Sequence, residues 1–131
     1  MTVTQTNWLN EKETMNVITV NWTADTGGAV ESYDITGCRG MYLVQVETVP
    51  GNRPPTDNYD ITLKDADGYS IVASLLANRD EANAEVIFPT QVSRPIDSNI
   101  TMAISGNAVD RANGKVKLYL STVPVAIVVA A

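Results

Sequence analysis

The chain has 131 residues and a mass of 14.1 kDa, a length that fits one domain and leaves no room for a second core. Area scaling gives a native surface of about 6,700 Å² against about 20,400 Å² for the extended chain, so a core of useful size can form. Nine Lys and Arg against fifteen Asp and Glu leave a net charge of −6, which repels nucleic-acid phosphates and anionic headgroups. Histidine is absent, and with it go most templates for acid–base, zinc and triad chemistry. The single cysteine, Cys38, has no partner for a disulfide within the chain, so assembly in a reducing cytoplasm is expected, with Cys38 read as a small, half-buried packing residue.

Residues 1–8 carry neither a basic start nor a seven-residue apolar run, so they do not read as a secretory signal. The apolar stretch at residues 123–131 contains a proline and falls far short of the about 20 residues that a membrane helix needs.

Val, Ile and Thr supply about 30% of the chain, and β-branched side chains favour strands. Residues 15–22 place Asn16, Ile18, Val20 and Trp22 on one side and Val17, Thr19 and Asn21 on the other, the period-two signature of a strand. Asp25, Gly27 and Gly28 then favour a reversal, and a short strand is expected at 31–36. After the break at Gly37 and Gly40, residues 41–49 form a central strand whose alternation is less clean, with apolar side chains on both faces at its start. Pro50-Gly51 and Pro54-Pro55 bracket a surface loop.

Tyr59, Ile61 and Leu63 alternate with Asp60, Thr62 and Lys64 in a half-buried strand. Asp67-Gly68 predicts a tight hairpin into residues 69–72. Residues 75–84 are rich in Ala and Leu, and Asn78 with Glu81 resembles a capping box, so one or two helical turns are expected. A short strand at 85–88 ends at Pro89, and Pro95 marks another loop. Ile100, Met102 and Ile104, then Val116, Leu118 and Leu120, predict two final strands paired as a meander.

These elements describe an all-β fold: a single-domain β-sandwich or barrel of about seven to eight short antiparallel strands with one short helical turn. Residues 1–120 make the domain. Residues 121–131 make an apolar C-terminal strand or arm that packs on its own domain or on a neighbouring subunit. The arm lacks any charge, and an uncovered apolar segment with unpaired backbone groups invites aggregation, so it needs a cover. Strand addition to another subunit is one solution and a final strand in the same domain is the other.

Two acidic segments, 56–60 and 65–68, offer oxygen ligands, but neither completes a calcium loop; Asp57, Asn58, Asp67 and Gly68 read better as turn residues. No carboxylate pair is fixed across a cleft, so no catalytic residue, metal or cofactor is predicted and the chain is not read as an enzyme. Trp8 and Trp22 are read as core or interface residues. Arg39, Arg53, Arg79, Arg94 and Arg111 are scattered through expected loops as rim or solubilising charge.

Pro54-Pro-Thr-Asp-Asn-Tyr-Asp-Ile-Thr-Leu-Lys-Asp-Ala-Asp-Gly68, Leu75-Leu-Ala-Asn-Arg-Asp80 and Lys115-Val-Lys-Leu-Tyr-Leu120, with Val17-Ile-Thr-Val-Asn-Trp-Thr-Ala-Asp25 as a first strand and turn, resemble a family of small virion proteins of tailed bacteriophages. The resemblance extends from about Asn16 to Leu120; the apolar extension beyond is longer than usual for the family. It implies a capsid decoration or cement protein on the exterior of the head, assembled in the host cytoplasm and bridging major capsid subunits, with homotrimers expected by analogy. A tail, neck or fibre-attachment component and a carbohydrate-binding surface module are the alternatives. Trp8, Val123, Val125, Ile127 and Val129 are the predicted partner contacts, and neither nucleic acid nor membrane is an expected partner.

Overall fold

The computed structural model describes residues 2–10, 14–89 and 93–124. Among them run nine strands: β1 (Thr2–Leu9), β2 (Met15–Thr23), β3 (Tyr33–Ile35), β4 (Tyr42–Pro50), β5 (Asp60–Lys64), β6 (Glu85–Ile87), β7 (Arg94–Pro95), β8 (Ile100–Ser105) and β9 (Asn113–Ser121). The larger sheet has the order β1-β2-β9-β4-β6, with β7 also on β4; the smaller has the order β3-β8-β5. All pairings are antiparallel. The two sheets pack face to face as a β-sandwich, and among the described residues neither closes into a barrel.

Alternation within each strand builds the core. In register across the larger sheet, Ile18, Leu118 and Val46 form one inward row, and Asn16, Leu120 and Leu43 the next. Ile35, Ile61, Leu63, Ile100 and Met102 face them from the smaller sheet, all buried in the same cluster. Trp22 and Tyr59 meet inside with ring centroids 5.9 Å apart and tilted by 52°, a geometry aromatic pairs favour.

Several expectations change. β1 is an additional strand. The mixed faces at the start of β4 have a cause: the register with β9 shifts between Leu43 and Gln45, a bulge that lets Val44 break the alternation. Residues 75–84 form no helix. Hydrogen bonds Ala73 N to Ser70 O, Leu75 N to Val72 O and Ala77 N to Ser74 O make successive turns, but Ala73 and Asn78 have φ of 51° and 55°, and left-handed residues interrupt a right-handed helix.

The Asp67-Gly68 turn forms, with Gly68 at φ 81° and Asp65 N bonded to Tyr69 O, yet beyond the Lys64–Ser70 bridge the chain enters those turns rather than a strand. β8 and β9 are not a meander either, for they lie in different sheets. The 106–112 connection changes layer beside Gly28 (φ 86°), where a Cβ would meet the Ala108 backbone at 2.8 Å.

Cys38 is fully rather than half buried, and burial pushes its thiol pKa up. Arg79, expected in a solvated loop, is only 8% exposed. Its guanidinium donates to the Ala77 carbonyl and stands 3.7 Å from Glu85, while its backbone pairs with Tyr59.

Candidate interaction surface

The larger sheet has one end where apolar side chains gather in solvent, and local hydrogen bonding puts them there. Asn10 closes the β1–β2 connection: its Oδ1 accepts from Thr14 N at 2.7 Å and Met15 N at 3.1 Å, its Nδ2 donates to Thr14 Oγ1, and its own N donates to Met15 O. An Asx arrangement of this kind holds a reversal without apolar packing. Trp8, Leu9 and Met15 therefore emerge beside these bonds, with Trp8 opposite Val17 and Leu9 opposite Asn16.

β9 ends at the same place. Met15 pairs with Ser121, Thr122 N donates to Thr14 O at 3.0 Å, and Val123 N donates to Ser121 Oγ. Ser121, the first residue assigned to the arm, is thus buried inside β9. Trp8 and Val123, both predicted contacts, are each 56% exposed at this end. Val125, Ile127 and Val129, the other three, lie outside the described residues. Leu9 and Met15, also exposed, were not singled out from the sequence. Their signal was the threonine alternation of 2, 4 and 6, which marks a strand leading to an exposed tip.

Along the outer face, Trp8, Val17 and Tyr119 lie in one row, and Thr6, Thr19, Lys117 and Glu47 in the next. All of them but Glu47 border an open cleft of about 430 Å³. Lys117 Nζ stands 3.7 Å from Glu47 and 5.6 Å from the Tyr119 ring centroid. Its hydrogen bond to Tyr119, with a further contribution from Glu47, holds the ammonium pKa above the ordinary lysine value. The row thus combines aromatic area with a paired charge.

A second apolar area lies elsewhere. Tyr69 and Leu75 are exposed beside a cleft of about 320 Å³, and the Arg94 guanidinium sits 5.0 Å from the Tyr69 ring centroid. Phe88 is exposed just after β6, on the sheet edge opposite β1.

Two of the acidic side chains are engaged by backbone amides. Asp65 Oδ1 closes a local turn by accepting from Asp67 N and Tyr69 N, and Asp60 Oδ1 accepts from Asn78 N in a separate segment. Among the described residues no group of three or more Asp, Glu, Cys or His side chains is placed to hold a metal ion.

No protein-family model, no curated protein and no solved structure matches the chain.

Proposed function

We propose that this chain is a structural protein of a tailed-bacteriophage virion, a decoration or cement protein that binds the outside of the head and bridges neighbouring major capsid subunits. The observation that carries its protein-binding part is the convergence of Trp8, Leu9, Met15 and Val123 at one end of a sheet. Large apolar side chains grouped in solvent are the usual mark of a surface that another protein covers. The phage assignment draws on the resemblance of the 17–25, 54–68, 75–80 and 115–120 segments. The net charge of −6 suits a protein that works beside packaged DNA without capturing it. Many copies on a regular shell reach high avidity from modest individual contacts.

The test is incorporation into purified heads. Truncation after Thr122 keeps β9 whole, and occupancy should fall at least about tenfold, the loss of one good apolar contact. Undiminished occupancy with unchanged heat-driven DNA release overturns the proposal. Copy number separates the tail, neck or fibre-attachment alternative: a lattice-wide complement means head, and a single ring means tail.

The carbohydrate-binding alternative draws on the cleft between Trp8 and Tyr119, since exposed aromatic faces are platforms for apolar sugar faces. Glycan-array binding that disappears in Trp8→Ala would favour it over the cement reading.

A further inference from the structure

The sheet edges are not alike. β3 has three residues with Asp34 at its middle, and β6 and β7 are short and carry Glu85 and Pro95. The outer side of β5 is taken, since Ile61 N donates to Leu76 O and Ile71 N to Leu63 O. β1 has none of these guards: its eight residues include no charge and no proline, its register with β2 is unbroken, and among the described residues no strand pairs with its outer side. A long, flat edge of this kind is a template for another strand. Its middle is held in place, because the Gln5 side-chain amide donates to Thr36 O at 2.6 Å and accepts from Thr36 N at 3.1 Å.

Hydrogen bonding fixes which groups the edge offers. Asn10 N donates to Met15 O, so the even-numbered residues of β1 bond to β2, and the bond from Thr122 N to Thr14 O sets the same phase from the far side of β2. Val3, Gln5, Asn7 and Leu9 therefore turn their N–H and C=O groups outward. Their side chains read apolar, amide, amide, apolar, a sequence that is the same in both directions about Thr6. From this symmetry we infer that the outer edge of β1 pairs antiparallel with β1 of a second copy, with Thr6 on the two-fold axis. Val3 then lies opposite Leu9 of the second copy, Gln5 opposite its Asn7 and Thr4 opposite its Trp8. All the outward N–H and C=O groups of these four residues are satisfied, and no charge faces another. A register shifted by two residues either way sets Val3 against Asn7 and Leu9 against nothing in β1, or Leu9 against Gln5 and Val3 against nothing. An isologous contact closes at two copies, which gives a dimer rather than the homotrimer expected by analogy.

Pairing of this kind needs no capsid and is tested on the full chain alone. Light scattering should give twice 14.1 kDa. Asn7→Pro, which removes an outward N–H that the chain itself does not use, should reduce it to the single mass. So should Thr6→Lys, which sets two like charges face to face at an exposed position. Thr6→Cys should bridge two copies under mild oxidant, since residues opposite each other in a non-hydrogen-bonded pair have Cα atoms about 4.5 Å apart; Cys38 is buried and does not compete. Thr4→Cys should not bridge, because the two copies of that residue stand about 14 Å apart along the strands. A monomeric native chain, a dimer that survives both Asn7→Pro and Thr6→Lys, or bridging by Thr4→Cys as readily as by Thr6→Cys each overturns the inference. A monomer that still decorates heads removes the pairing alone, whereas a dimer that ignores heads removes the capsid reading alone.

Discussion

Trp22 on β2 packs against Gly114, the residue opposite it on β9, so closely that a Cβ at Gly114 would stand 2.9 Å from the indole Cζ2. The same Cβ would meet the Val49 carbonyl oxygen of β4, also at 2.9 Å. Backbone on one side and a fully buried indole on the other leave nothing free to give. Gly114→Ala should therefore cost about 1–3 kcal/mol through overpacking, the reverse of the gain that Gly→Ala brings where space exists. Urea unfolding would register this as a lowered midpoint at unchanged slope, and an unchanged midpoint would show that β2 and β4 shift away from β9 at little cost.

Arg79 joins the chain turns to the core. Its guanidinium is held by the Ala77 carbonyl and by Glu85, which itself accepts from Asp80 N at 2.6 Å. Arg79→Ala leaves that carbonyl and part of that carboxylate without a donor. The expected cost is about 2 kcal/mol, reduced from a fully buried pair because Glu85 reaches water. Arg79→Met, which keeps the packing of the stem, should recover part of it. Equal midpoints for native, Ala and Met variants would contradict the assignment.

Legibility in the sequence followed the strength of the side-chain period. β2, β5, β8 and the inward residues of β9 alternate cleanly because each has one face on the core, and their buried residues were readable directly. β1 was not, since most of its residues are exposed on both faces and no apolar stripe forms. The β8–β9 link failed for a different reason: two strands on either side of a loop carry the same pattern whether they share a sheet or face each other across a sandwich. Leu75 and Leu76 suggested a helix, but Leu76 is drawn into the core and Ile61 N donates to its carbonyl, so a tertiary contact overrides local propensity. For the interaction surface, composition identified Trp8 and Val123, while their placement at one end depended on the register of β9 with β2, which no local pattern encodes.

Tyr59 gives an alkaline prediction. Burial is the main cause that pushes its phenol pKa from 10.0 up to about 12, with Arg79 acting weakly the other way. A raised folded-state value means that its contribution to stability is complete below pH 10 and is lost as the pH rises toward about 12. The hydroxyl also has no hydrogen-bond partner among the described residues, so Tyr59→Phe removes a buried polar atom without orphaning another. Melting temperatures of native and Tyr59→Phe chains should agree or favour Phe at pH 7, and should diverge in favour of Phe above pH 10. Parallel curves across that window would rule the account out.

Asp25 acts at the other end of the scale. Its Oδ1 accepts from Gly27 N at 2.8 Å and Ala29 N at 2.9 Å, and these bonds, Gly27 first, hold the carboxyl pKa below 3.8. A depressed folded-state value gives stability that is present above pH 3.8 and lost as the pH falls through the lower value. Asp25→Asn keeps an acceptor but removes the charge, so its acid limb should be shallower than that of the native chain. The check is midpoint against pH from 6 down to 2, and a limb of identical slope would place the acid sensitivity elsewhere.

Trp8 offers the sharpest separation of binding from folding. It is 56% exposed, its neighbours on the outer face are Val17 and Thr6 rather than core residues, and the Asn10 side chain ties the end of β1 to Thr14 without it. Trp8→Ser should then leave unfolding free energy within about 0.5 kcal/mol of native. An aromatic anchor in a covered surface is worth about 2 kcal/mol or more, so association with capsid subunits or with further copies should weaken at least about 30-fold. Phe88→Ser supplies the control, because Phe88 is similarly exposed but follows β6 on the opposite edge. It removes comparable apolar area with no expected effect on association. If Phe88→Ser weakens assembly and Trp8→Ser does not, the working surface is the β4–β6 edge and the end beside Val123 is bystander area.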